Sequence, residues 1–276
     1  MHRLLVAALF VPMLGSTAEA QTTGPYRLGQ RDTLHYREVS DSKTLIETPQ
    51  GNVTVSNEHE ATIGLRGAGP GRATAWYETL RLHMVGPTGE MSPSTDDILG
   101  RPYSLAFPSD GRVRMTEAPP IPDPIMAVTD LRHEFDDFFV TMPPTRPSAG
   151  AMWQDTVRSE GSGPNGGTQS LEAIRRYKVR GDTSVAGVRA LVVEVASRFE
   201  AQSSAPMQGQ PITVHSRLSG DETGIVLFDW ADGRLLARTK EGRLEGTMRM
   251  TGGPQPVEFP QSMTYTSSIT AGPGGG

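Results

Sequence analysis

Three strings in this sequence carry residue types that could do chemistry, and each depends on the element that would hold it. His133-Glu134 with Asp137 has the spacing of an H-E-x-x-H zinc helix whose second histidine is an aspartate. Residues four apart share a helix face, so His133 and Asp137 could meet a metal ion, with Glu134 as general base. No third ligand is identifiable, and the same residues suit the solvated side of an amphipathic helix. Ser40-Asp41-Ser42-Lys43 is an S-x-x-K string, the nucleophile and base of penicillin-recognising enzymes. Its companion S-D-N and K-T-G strings are absent, and it lies in a polar turn. Gly161, Gly163 and Gly166 spell G-x-G-x-x-G, which binds phosphate only when a helix follows. Here Leu171, Ala173, Tyr177 and Val179 alternate as in a strand, which makes the glycines a hairpin loop.

The remaining polar strings are equally poor in chemistry. Asp96-Asp97, Asp136-Asp137 and Asp221-Glu222 are adjacent carboxylates, and sequence neighbours on a strand point apart. No G-x-S-x-G elbow or calcium-loop spacing occurs. No cofactor is expected, and an enzyme is the weaker reading, with a metal-assisted hydrolase at His133 and Asp137 as its only form. The apolar set is a better candidate. Trp76, Leu80, Leu82 and Met84 on one strand, with Phe135, Phe138, Phe139 and Met142 on a helix, could line a cavity for a lipid-like guest. Methionine and aromatic side chains repack around loosely shaped ligands, though such a stripe is also what a filled core shows.

The elements that must position these residues are mostly strands. Apolar residues recur with period two between Gly, Pro, Asp and Ser clusters, the pattern of a meandering antiparallel sheet. The even positions from Thr74 to Met84 form one greasy face; Leu191, Val193, Val195 and Phe199 share another, with Val188, Ala190 and Val192 opposite. One segment breaks the rhythm. Ile125, Val128, Leu131, Phe135, Phe138 and Met142 recur at three or four, which predicts an amphipathic helix between the prolines at 119–124 and Pro143-Pro144. The fold class expected is mainly β, a curved antiparallel half-barrel with one helix packed on it. Two recurrences suggest duplicated halves, 21–145 and 146–270. Asp32-Thr33-Leu34 matches Asp155-Thr156-Val157, and the turn Asp110-Gly111 matches Asp232-Gly233.

Composition places the chain. His2 and Arg3, the apolar run Leu4 to Leu14 and Ala18-Glu19-Ala20 read as a secretory signal peptide cleaved after Ala20. A single domain over 21–270 and a disordered glycine-rich tail at 271–276 would follow. The run is too short to span a bilayer, and no later segment reaches the roughly 18 apolar residues needed. With no cysteine there is no disulfide framework, no thiol catalysis and no site for a lipid anchor. A net charge of −5 without basic blocks argues against nucleic acid. A periplasmic or secreted bacterial protein is expected.

Tyr26 to Gly29 with Tyr36, the segment Met142-Pro143-Pro144-Thr145-Arg146-Pro147, Gly150 with Trp153, and Asp232-Gly233 together carry a resemblance. In this order they resemble a group of secreted bacterial β-proteins of unassigned function. More remotely the layout is similar to the periplasmic lipoprotein carriers, whose curved half-barrel wraps helices and holds acyl chains on its concave face. The resemblance implies non-enzymatic binding of a hydrophobic or amphiphilic ligand, or of an envelope partner. A structural or adhesive module using free sheet edges is the further alternative.

Overall fold

The computed structural model describes residues 25–30, 32–109, 111–162, 167–207 and 209–272, the side chains of His133 and Ser162 excepted. The leader and its cleavage site, Gly163 and Gly166 of the glycine string, Asp110 and residues 273–276 lie outside the described residues.

The alternating pattern forms one antiparallel sheet of twelve strands that does not close into a barrel. They are β1 (Leu34–Thr48), β2 (Gly51–Gly69), β3 (Arg72–Gly86), β4 (Gly89–Met91), β5 (Tyr103–Ala106) and β6 (Arg114–Glu117), then β7 (Met152–Ser162), β8 (Thr168–Val185), β9 (Val188–Pro206), β10 (Thr213–Asp229), β11 (Arg234–Thr251) and β12 (Val257–Ala271). Their order is β6-β5-β3-β2-β1-β12-β11-β10-β9-β8-β7, with β4 on β3. Nearly every connection is therefore a hairpin between neighbours. Two connections are not: β4 and β5 both pair with β3, and β6 and β7 are the two edges, so residues 118–151 must cross the full width of the sheet. They do so over one face and pack against part of it. Near the seam Arg112 Nη2 donates to Thr156 O of β7 at 2.7 Å.

That crossing segment carries the predicted helix in broken form. A short helix α1 (Asp123–Met126) starts behind Pro122, and a 3-10 turn follows at Leu131–Asp136. The Asp130 side chain accepts from Arg132 N and starts the second turn afresh, which is why one continuous helix does not form. Five of the six stripe residues, Ile125, Leu131, Phe135, Phe138 and Met142, are nevertheless buried in the core together with Phe139, and Val128 is half-buried against it. Aromatic edges lock it in place. Phe138 meets Tyr36 at 5.4 Å, Phe135 meets Tyr103 at 4.9 Å, and Tyr26 sits among Phe107, Phe139 and Phe228. Tyr26 also donates to Val140 O at 2.7 Å.

Two sequence expectations need correcting. The even positions of β3 do not share one face, because the pairing of β2 with β3 slips between Thr62 and Ile63. The bulge turns Ala73, Ala75 and Tyr77 inward together with Leu80 and Leu82, and leaves Trp76 on the opposite face. There its ring covers Gly64, with the Arg66 guanidinium 5.9 Å away. Ala271 and Gly272, expected in a disordered tail, are placed instead: Ala271 belongs to β12 and Gly272 N donates to His35 O at 2.7 Å.

The crease of the sheet is written in small residues. On the inner face of β10 and β11, Leu218 lies opposite Gly246 and Gly220 opposite Leu244. A Cβ on Gly246 would sit 1.9 Å from Arg217 O, and one on Gly220 2.0 Å from Arg243 O. The two strands approach so closely that only glycine fits. Gly246→Ala should therefore cost about 1–3 kcal/mol by overpacking, read as a lowered urea midpoint; an unchanged midpoint would show that the strands separate freely.

Candidate functional site

Register converts the strand pattern into rows across the inner face. One row runs Asp155, Arg175, Ser197, Glu222, Gly242, Tyr265 and Ser42 through β7, β8, β9, β10, β11, β12 and β1. It is a polar belt across the inner wall. Ser197 Oγ donates to Glu222 Oε1 at 3.2 Å, and Tyr265 reaches across Gly242 to give its hydroxyl proton to Glu222 Oε2 at 2.7 Å. Tyr177 donates to Asp155 at 3.3 Å, and Thr141 Oγ1 also donates to Asp155. Asp155, Arg175, Glu222 and, two inward rows higher, Arg238 and Glu38 are all buried.

Asp137 of the crossing segment closes this belt from above. Its carboxylate accepts from Arg175 and Lys240, and its carbonyl accepts from Arg238. Burial alone would push the Asp137 carboxyl up, but Arg175, Lys240 and Arg238 together outweigh it and hold it well below the usual carboxylate range. Glu38 shows the opposite balance. Desolvation, helped by Glu134 and Asp137, outweighs Arg238 and Lys240 and pushes its carboxyl up to about 8. Glu38 Oε2 and Arg238 Nε lack a hydrogen-bond partner among the described residues. A small cavity of about 20 Å³ lies between Asp137, Arg175, Glu222, Arg238 and Lys240.

Next to the belt the inner wall turns apolar. Ala173, Phe199, Leu218 and Leu244 form a second cluster, flanked by Val157, Leu171, Met263 and Tyr265, and no residue of the crossing segment belongs to it. Further along, the inward positions mix apolar and polar residues: Met248 faces Phe259 and Met250 lies between Val214 and Val257, while Ser203, Ser216 and Gln261 stand among them, Ser216 Oγ donating to Gln261 Oε1 at 3.1 Å. The wall continues nine residues of β10 beyond Glu222, to Thr213, about 30 Å at strand spacing. At one flank Gln169 donates to Asp130 Oδ2 at 3.0 Å, so polar contacts stand between this wall and the crossing segment. On the opposite face lies a groove of about 820 Å³, where Val39, Met152 and Ile225 are interspersed with Asp41, Arg176, Lys178, Glu194 and Glu241.

These positions sort the residues singled out in the sequence. Leu80, Leu82, Phe135, Phe138, Phe139 and Met142 are brought together in the packed main core; Met84 is half-buried at its margin, and Trp76 is on the other face. Asp137 is engaged by Arg175 and Lys240, and the His133 side chain lies outside the described residues. Among the described residues no cluster of three His, Asp or Glu side chains is placed to hold a metal ion. Sequence reasoning missed the belt. Its only linear trace is a charged or hydroxyl residue at an inward parity on several strands, and pairing such positions needs the register.

No helix of the described residues is long and apolar enough to cross a membrane. No family model matches the chain, and no curated protein matches it. Among solved structures it is similar to a putative outer membrane lipoprotein-sorting protein domain from Vibrio parahaemolyticus, at 10% identity, covering 86% of this chain and 83% of that one with a TM-score of 0.19. It is also similar to OccK2 (OpdF) of Pseudomonas aeruginosa in complex with glucuronate, at 7% identity, covering 89% of this chain and 100% of that one with a TM-score of 0.24.

Proposed function

We propose that this chain is an exported, non-enzymatic carrier or receptor for an amphiphilic guest, held along the inner wall between the polar belt and the lower end of the sheet. The observation that supports the reading is the second apolar cluster, Phe199, Leu218 and Leu244 with Met263 against them, to which no residue of the crossing segment belongs, and Met248 and Phe259 beyond it on the same wall. A chain of methylene groups would lie on these side chains, and a polar head would stop at the belt, where Lys240, Tyr265 and Glu222 offer both donors and acceptors. Methionines at Met248, Met250 and Met263 allow one wall to fit guests of several shapes. The groove on the opposite face suits such a guest less, because charges separate its apolar side chains.

Gently purified protein extracted into organic solvent should release a defined amphiphile by mass spectrometry. Met263→Glu with Met248→Glu, both at half-buried positions, should abolish that release while circular dichroism stays unchanged. Absence of any bound amphiphile, together with no uptake of a fluorescent fatty acid, would sink the reading.

A further inference from the structure

The lower end of the sheet, where β1 turns into β2, β3 into β4, β7 into β8, β9 into β10 and β11 into β12, has a chemistry of its own. Its described turn residues are Pro49-Gln50, Pro87-Thr88, Gly167, Met207, Gly209 to Ile212, and Gly252 to Pro256, and none of these carries an ionisable side chain. At the upper end Arg72, Asp229, Asp232 and Arg234 stand at the turns. Two of the lower turns touch. A Cβ on Gly252 would lie 1.7 Å from Pro211 O, so the β9–β10 and β11–β12 tips form one rim. That rim exposes Met207 (36%) and Val257 (45%) to solvent. Behind it Arg249 and Glu258 face each other in register, and the exposed Glu47 and Glu90 stand behind the neighbouring β1–β2 and β3–β4 turns.

We propose that this rim docks on a lipid bilayer, with electrically neutral headgroups as its surface. A rim without charge has no ion to desolvate on entering the interfacial region, and its proline and glycine turns present backbone and glutamine amides that headgroups can satisfy. It lacks the Arg, Tyr and Trp that anchor protein partners. It also lacks the Lys and Arg that would favour anionic lipid. The rim is continuous with the inner wall, through Val214, Met250 and Val257 and then Met248 and Phe259. A guest could pass between bilayer and wall without crossing a charged collar. That passage rests on the function proposed above; the docking does not.

The test is flotation of the full-length protein, purified after export, with phosphatidylcholine vesicles and with vesicles enriched in phosphatidylglycerol. Binding to the neutral vesicles should be insensitive to salt. Met207→Glu with Val257→Glu should weaken it at least about tenfold, whereas Ile225→Glu, an exposed apolar site elsewhere, should leave it unchanged. Binding confined to anionic vesicles and lost with salt, or self-association abolished by the double variant without any flotation, would overturn the proposal. Flotation that survives when no guest is ever extracted would retain the docking and remove the carrier reading.

Discussion

Asp137→Asn should lower the unfolding free energy by about 3 kcal/mol, the low end of what stranding buried charge costs. The substitution keeps shape but removes the anion that Arg175, Lys240 and Arg238 converge on. Asp137 itself keeps 36% of its side chain accessible, while Arg175 keeps 6% and Lys240 16%. The penalty therefore comes from Arg175, Lys240 and Arg238 losing a shared anion in a shielded wall where Glu222, 3.8 Å from Lys240, is the acid left beside them, not from the lost carboxylate's own burial. The acid limb of stability should change with it. A carboxyl whose folded pKa is depressed stabilises the fold above its unfolded value, about 3.9, and that stabilisation is lost as pH falls through the folded value. Urea titrations below about pH 4 should thus show a shallower acid loss in the variant than in the parent chain. Equal stability of the two proteins at neutral pH would mean that the cations find other partners and that Asp137 does not hold the crossing segment down.

Much of the architecture could be read from residue order, and the reasons are local. Inward-outward alternation in Leu191 to Phe199 and in Leu171 to Val179 is a period-two signal that survives any tertiary context, and both runs are strands. The apolar stripe from Ile125 to Met142 correctly located the segment that covers the sheet. What it could not convey was the break at Asp130, where a side-chain cap replaces a helical turn. Trp76 was misplaced because a bulge is one extra residue with no compositional mark, and it inverts every side chain on one side of it. The belt was illegible for a different reason. Asp155, Arg175, Ser197 and Glu222 are separated by twenty or more residues each, and only pairing brings them into one row. Glycines at 220 and 246 carry no local mark of their role, which is to let the backbones of β10 and β11 approach each other closely.

Between about pH 5 and pH 8 the parent protein should lose stability with a slope approaching about 1.4 kcal/mol per pH unit, and Glu38→Gln should abolish that slope. Glu38 is 4% exposed, its Oε2 has no hydrogen-bond partner among the described residues, and burial pushes its carboxyl up to about 8. The direction follows from linkage. In the unfolded chain this carboxyl ionises near 4.3, whereas the fold keeps it protonated, so its contribution is full in acid and is lost as pH climbs toward the folded value. Facing it are Glu134 and Asp137, which favour the neutral form, and Arg238 and Lys240, which favour the charged one. Gln has nearly the shape of the protonated acid, so the two proteins should match near about pH 5 and separate steadily above it, with the variant the more stable. Denaturant titrations across that range decide the matter: parallel curves for the two proteins would place the titrating group elsewhere. Because Glu38 is paired with Ile269 across the β1–β12 junction, its ionisation should act where the first and last strands meet. Amide exchange should therefore report falling protection along that pair before any other as the pH rises.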